Sequence, residues 1–74
     1  MEVEEKETLR KFGLHLKKIR QEKRITQEKL AFSIGVEISQ ISRIERGIIN
    51  TSVINLYKIA SALEISIKDL FPEE

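Results

Sequence analysis

The segment VEISQISRIER, which lies between Gly35 and Gly47, constrains the fold more than any other part of this chain. Glycine readily adopts the left-handed backbone conformation at which helices commonly end, and other residues meet a steric cost there. We therefore expect one short helix over about Ile38 to Arg46, entered through a sharp turn at the first glycine and ended at the second. The apolar residues of the segment have helical spacing and predict one buried face: Val36, Ile41 and Ile44.

Helical periodicity also precedes this segment. We expect a first helix from Glu5 to about Lys23, because its apolar residues recur at steps of three and four. A second helix is expected over Gln27 to Ile34, where the hydroxyl of Thr26 can accept a hydrogen bond from an unpaired amide as an N-cap. The residues predicted to face the core are Leu9, Phe12, Leu16 and Ile19 in the first helix, and Leu30, Ala31 and Ile34 in the second.

Two further helices are expected after Gly47. Ser52 can cap the fourth helix, and Ser66 can cap a short fifth helix, IKDLF, which Pro72 ends. No segment has the pattern of a strand, so the expected fold class is all-α, a compact bundle of five short helices around one core. The residues predicted to face that core from the fourth helix are Val53, Leu56, Ile59, Ala60 and Leu63.

Composition limits the class of protein. A chain of 74 residues suits one small domain, and without cysteine it has neither a disulfide nor a thiolate metal site. No apolar run approaches the roughly 18 residues of a membrane span, and the acidic N-terminus is unlike a signal peptide. No catalytic constellation is evident, and the single histidine, His15, is expected to be a solvated surface side chain. We expect a cytoplasmic protein that is not an enzyme, with no cofactor, metal or small-molecule ligand.

Charge is segregated along the chain, although the formal net charge is only +1. Residues 10–29 hold eight basic side chains against Glu22 and Glu28, a local charge of +6, whereas residues 1–8 and residues 69–74 each carry −3. Such a basic run is either a solvated helix face or a surface that binds a polyanion, and composition alone leaves both interpretations open.

The second and third helices, joined by a glycine turn, predict a helix-turn-helix arrangement. In that arrangement the second member enters the major groove of DNA, while the first lies across the DNA backbone. Short or forked polar side chains, which suit base edges and phosphates, surround Ile41 and Ile44. They are Ser39, Gln40, Ser42, Arg43 and Arg46.

The stretch TQEKLAFSIGVEISQISRIERG resembles the helix-turn-helix of the Cro/repressor-type, or XRE, family. FGLHLKKIR resembles the first helix of that family and LYKIASALEISIKDLF its last two, so the resemblance covers about residues 9 to 71. NTSVINLYKIASALEI is also similar to the controller proteins of restriction-modification systems. The positions that match within the motif are Thr26, Gln27, Leu30, Ala31, Gly35, Ile41, Ser42, Ile44, Glu45 and Gly47.

The resemblance implies a lambda-repressor-like DNA-binding domain over residues 9–71, with an acidic extension at residues 1–8 and a tail at residues 72–74. It also implies a transcriptional regulator whose partner is double-stranded DNA. Arg43 is the strongest candidate for base reading, because a guanidinium can form a bidentate pair with guanine. The family's base-reading positions correspond here to Ile38, Ser39, Ser42 and Arg43, and its backbone-contacting positions to Gln27, Gln40, Arg46 and Asn50. Gln27 is expected either to bind a phosphate or to support a base-reading side chain.

Three residues depart from the family pattern. Glu37 stands at the N-cap of the third helix, where it either caps the helix and favours its dipole or lowers non-specific DNA affinity. Ile38 cannot form a hydrogen bond, so it can only contact a thymine methyl group or pack sideways. Arg24 stands where the family usually has glycine, which leaves the geometry of that turn open.

An excess of apolar side chains in the C-terminal third predicts a homodimer. One small core cannot take them all, and an exposed self-complementary patch gives a two-fold pair that suits a pseudo-palindromic operator. The alternative is an antitoxin or another protein-interaction module with the same fold, for which the short acidic extension leaves little room. The residues predicted for the dimer interface are Ile54, Tyr57, Ile67, Leu70 and Phe71.

Overall fold

The computed structural model of the protein describes residues 3–73, so the first two residues of the acidic extension and the last residue of the tail lie outside it. Within this range the chain forms four α-helices and one 3-10 helix. They are α1 (Glu5–Glu22), α2 (Gln27–Ile34), α3 (Ile38–Glu45), α4 (Val53–Ala62) and the C-terminal 3-10 helix (Ile67–Leu70). The all-α fold class is confirmed, and the bounds of α1 to α3 differ from the prediction by at most one residue.

The predicted short fifth helix is a 3-10 helix of four residues, so the structure has four α-helices and not five. The amide of Asp69 donates to the carbonyl of Ser66 at 2.9 Å, a bond that spans three residues, as in a 3-10 helix. The segment cannot lengthen into an α-helix, because Pro72 restricts the residue before it to extended backbone, and Phe71 is extended. The Ser66 side chain also forms no capping hydrogen bond, contrary to prediction.

Hydroxyl caps begin two of the helices as predicted. Thr26 Oγ1 accepts from the amide of Lys29 at 3.0 Å, and Ser52 Oγ accepts from the amide of Asn55 at 3.1 Å. At α3 the N-cap residue Glu37 forms no side-chain capping hydrogen bond. The start of α3 therefore leaves amides without a side-chain cap.

Backbone in the left-handed region forms the turns before and after α2. Gly35 has φ +76° and ends α2, as predicted, and its neighbour Val36 donates to the carbonyl of Ala31 at 3.0 Å. Arg24 has φ +59° in the turn between α1 and α2. The turn requires left-handed backbone at this position, which explains why the family usually has glycine there. In this chain arginine adopts the same conformation.

The core lies where α2, α3 and α4 meet α1, and the C-terminal 3-10 helix packs against α1 and α4. Val53 was wrongly predicted to face this core: its side chain is 65% exposed. Val53 is the first residue of α4 and lies at the edge of the stripe that later turns of the helix bury. The buried apolar residues are Leu16, Leu30, Ala31, Ile34, Ile41, Ile44, Ile59, Ala60, Leu63 and Leu70.

His15 is not the freely solvated side chain that was predicted. It is half-buried, and its Nε2 donates a hydrogen bond to the carbonyl oxygen of Asp69 at 2.9 Å. The end of a 3-10 helix leaves carbonyls without a helical partner, and the imidazole binds one of them. His15 therefore joins α1 to the C-terminal 3-10 helix.

None of the helices described is long and apolar enough to cross a membrane.

Candidate nucleic-acid interface

Helix α3 has one face in the core and one in solvent. Ile41 and Ile44 are buried, as predicted. Ile38, Ser39 and Arg43 are exposed, whereas Gln40 and Ser42 are half-buried. The structure therefore brings the predicted base-reading residues together along the outer side of one helix of eight residues.

Arg43 and Arg46 supply the positive charge of this outer face. Within residues 3–73 Arg43 takes part in neither of the two ion pairs, so its guanidinium is available to an external acceptor. Arg46 Nε donates to Ser42 Oγ at 3.2 Å and lies back along the helix. One guanidinium thus extends from α3 while the other is held near its C-terminal end.

Gln27, which is half-buried at the start of α2, belongs to a polar network whose two charged members are buried. Its Nε2 donates to Glu45 Oε1 at 2.9 Å. Arg20, on α1, holds the same carboxylate through two bonds, from Nε to Oε2 at 2.6 Å and from Nη2 to Oε1 at 3.0 Å. Arg20 Nη1 also donates to the carbonyl of Ile25 at 2.8 Å. We call Arg20, Gln27 and Glu45 the buried triad; it joins α1, α2 and α3.

Sequence reasoning missed the triad, although a signal was available. Arg20 lies four residues after the buried Leu16, and Glu45 lies four residues after the buried Ile41, so both charges fall on helix faces that turn inward. Side chains of opposite charge in such positions indicate a buried ion pair, because a buried charge needs a partner. In the part of the chain that the structure describes, no buried side-chain nitrogen or oxygen lacks a hydrogen-bond partner.

Asn50, the last predicted DNA-contacting residue, is not part of α3. It is exposed in the loop between α3 and α4, where it borders a groove that Leu9, Ile44 and Leu56 also line. The structure therefore does not bring Asn50 onto the outer face of α3.

The residues predicted for the dimer interface divide into two groups. Ile54 and Tyr57 are 63% and 57% exposed and share one face of α4 with Val53. Leu70 has no exposed surface, because it closes the core between α1 and α4, so its assignment to an interface is corrected. Ile67 is half-buried. Phe71 is partly exposed and packs against Phe12, with ring centroids 5.5 Å apart.

Comparison with known proteins identifies the family. The sequence profile of the Helix-turn-helix family matches residues 16–70. The chain belongs to this family, and it is a DNA-binding transcriptional regulator of the XRE type, as predicted.

Its similar proteins include several controllers. The chain is 41% identical over 64 residues to control protein C.MunI from Mycoplasma sp, which covers 85% of this chain and 86% of that protein. It is 45% identical over 60 residues to control protein C.BamHI from Bacillus amyloliquefaciens, covering 80% and 74%. The crystal structure of the restriction-modification controller protein C.AhdI from Aeromonas hydrophila superposes with a TM-score of 0.83 at 43% identity, covering 85% of this chain and 96% of that chain.

Proposed function

We propose that this regulator is the controller protein of a restriction-modification system, and that it binds a pseudo-palindromic operator as a two-fold dimer. The observation that carries the controller assignment is the identity of 41–45% to three proteins of that kind, over most of each chain. The exposed polar face of α3 supports the proposal of operator binding, because contacts to base edges need polar side chains on an accessible helix.

Base reading falls to the outer side of α3. Arg43 pairs with a guanine edge, Ser39 and Ser42 offer hydroxyls to either kind of base, and Ile38 contacts a thymine methyl group. These four residues lie within six positions of one helix, so one α3 reads a short half-site. Two copies related by a two-fold axis reach successive major grooves about 34 Å apart.

Contacts to the DNA backbone set the position of α3. One amide proton of Gln27 is bound to Glu45, and the second can be donated to a phosphate oxygen. Arg46, Gln40 and Asn50 complete the proposed backbone contacts. The partner of Gln27 is Glu45, which is not a proposed base-reading residue, so of the two roles expected for Gln27 we propose phosphate binding.

The proposed dimer interface is the patch formed by Val53, Ile54 and Tyr57 on α4, extended by Ile67 and Phe71. The three α4 residues are all large, apolar or aromatic, and more than half exposed. An apolar patch of this kind on a small domain favours association with a second copy through the same surface.

Selection of bound duplexes from a random pool tests whether the protein recognises a specific operator sequence. The wild-type protein should enrich a sequence with two-fold symmetry, and the same sequence should lie beside a restriction or methyltransferase gene in the source genome. The double variant Ser39→Ala, Arg43→Ala should no longer enrich this sequence, although the variant protein should keep the helix content of wild type. If a folded wild-type dimer enriches no sequence, the proposal is wrong and a protein-interaction module is favoured.

A further inference from the structure

The end of α3 is pressed against the first turns of α1. A Cβ placed on Gly47 would lie 2.6 Å from Arg10 Cα and 2.7 Å from Arg10 N, so only glycine fits. On the other side of the contact, a Cβ on Gly13 would overlap the carbonyl oxygens of Ile44 and Glu45. Because both sides of the contact have glycine, the backbone of α1 approaches closely the backbone at the end of α3. The side chains that flank the contact therefore become neighbours.

Basic side chains from both helices border this contact. Lys6 and Arg10 lie four residues apart on α1, and Arg46 immediately precedes Gly47. All three line one shallow surface groove, with one carboxylate, that of Glu5, also on its border. The groove therefore gathers three cations from segments some forty residues apart in the chain.

Arg10 is already occupied by an anion, but weakly. Its Nη2 and Nε lie 2.6 Å and 2.7 Å from Glu7 Oε1. The side chains of Arg10 and Glu7 are 55% and 44% exposed, and ion pairs this exposed are held loosely in water. A phosphate oxygen can therefore replace Glu7 at the Arg10 guanidinium.

The expected position of the groove relative to DNA follows from the length of α3 and from the way a recognition helix docks, with its N-terminal residues at the base edges. An eight-residue helix is about 12 Å long, about the width of the major groove. When the first turns of such a helix contact base edges, its C-terminal end reaches the phosphates that border the groove. Arg46 and the adjoining groove lie at that end.

We infer that Lys6, Arg10 and Arg46 form a binding site for DNA backbone phosphate, and that Glu7 competes with the phosphate for Arg10. This inference rests on the proposed DNA-binding function of α3 and extends it to α1. The site contributes affinity but no sequence preference, because phosphates are the same at every base pair. Glu7 lowers affinity for DNA of any sequence and so keeps the protein from being held on non-operator DNA.

Arg10→Ala and Lys18→Ala are a matched pair for the test. Both remove one exposed positive charge from α1, but Lys18 borders neither of the two surface grooves. Binding of each variant to the selected operator and to a scrambled duplex is measured between about 50 and 200 mM salt, the range over which phosphate contacts are most visible. Thermal unfolding checks that both variants are folded.

Arg10→Ala should weaken binding to both duplexes by a similar factor. The slope of log affinity against log salt should fall by about 0.9 for each phosphate that the protein no longer neutralises, or about 2 per dimer. Lys18→Ala should keep the wild-type slope. Equal slopes for the two variants would overturn the site while leaving the operator intact, whereas a wild-type protein that binds no duplex would overturn the DNA-binding proposal itself.

Glu7→Gln tests whether the Glu7 carboxylate competes with phosphate for Arg10, because the variant removes the competing negative charge. This variant should bind the scrambled duplex more tightly than wild type, with a steeper dependence on salt. Glu22→Gln, which removes an exposed carboxylate elsewhere on α1, controls for the change in net charge. If both substitutions raise the affinity equally, Glu7 does not act on Arg10.

Discussion

The helix-turn-helix part of this protein and its fourth helix differ in which side chains they bury and which they expose. Around α1, α2 and α3, charged groups are drawn inside and paired, as Arg20 and Glu45 are. On α4, apolar side chains such as Ile54 and Tyr57 remain outside. Exposed apolar side chains such as Phe32 also occur on the first three helices, but on α4 Val53, Ile54 and Tyr57 lie together on one face. The proposed DNA-reading and dimer-forming residues thus lie on separate surfaces, and we expect substitutions to affect either activity alone.

Breaking the buried triad should have the largest effect. Arg20→Leu leaves the carboxylate of Glu45 buried without its cation, and the loss of one member of a buried pair costs about 3–5 kcal/mol in the free energy of unfolding. Urea denaturation followed by circular dichroism measures this cost. Because small domains are marginally stable, we expect the variant to be largely unfolded.

Two controls sharpen this experiment. Lys17→Leu makes the same replacement at an exposed position of α1 and should change stability by less than about 0.5 kcal/mol. Arg20→Leu combined with Glu45→Leu removes both charges and should recover much of the loss. Equal stabilities for Arg20→Leu and Lys17→Leu would mean that the two regions do not differ as described.

Charging the α4 patch should break association and leave the fold intact. Ile54→Asp with Tyr57→Asp removes four apolar side chains per dimer, each worth about 1.5–3 kcal/mol if fully buried. Burial at an interface is partial, so we expect the dimer to weaken by about 3 kcal/mol. Sedimentation velocity at micromolar concentration should give a dimer for wild type and a monomer for the variant, which should also lose operator binding.

Phe32→Asp is the matched control for that variant. Phe32 is 87% exposed but lies on α2, outside the patch, so its replacement should leave the dimer unchanged. A wild-type protein that sediments as a monomer and still binds a palindrome without cooperativity would refute the proposed interface.

Removing the Arg43 guanidinium should affect reading alone. Arg43→Ala should cost about 1–3 kcal/mol in operator binding and relax the selected sequence at one position per half-site. The free energy of unfolding and the sedimentation coefficient should match wild type. Lys58→Ala, which removes an exposed cation from α4, should leave the selected sequence unchanged. An unaltered sequence logo for Arg43→Ala would exclude this residue as a base reader.

The smallest effect is expected at the turn between α2 and α3. Gly35 has φ +76°, and no atom lies within 4 Å of a Cβ built there, so Gly35→Ala meets backbone strain without a clash. We expect a loss of about 1 kcal/mol in the free energy of unfolding. Gly35→Asn should lose less, because asparagine tolerates the left-handed region better. Thermal unfolding of the two variants, if indistinguishable, would contradict this explanation.

Much of the fold could be predicted from the sequence, because local chemistry determines it. Thr26, Ser52 and Gly35 act within a few residues of themselves, and their roles are confirmed. The exposed face of α3 followed from periodicity in the same way. The contacts of that face with DNA stay predictions, since no bound duplex tests them.

Errors arose where burial depends on a distant element. Periodicity placed Val53 on the inner face of α4, but it could not tell that the core leaves this first residue of the helix exposed while the core contacts Leu56. Leu70 and His15 were misplaced because the 3-10 helix folds back onto α1 across more than fifty residues of sequence. The triad escaped notice for the same reason, since its members come from three different helices.

The buried triad also bears on the entropy of DNA binding. An isolated helix as short as α3 is largely unfolded in water, so its order must come from the rest of the domain. Glu45, at the last turn of α3, is fixed by two bonds from Arg20 and one from Gln27. The reading surface is consequently preorganised, and DNA need not supply the free energy to order it. More of the contact energy then appears as affinity, and association can proceed without a folding step.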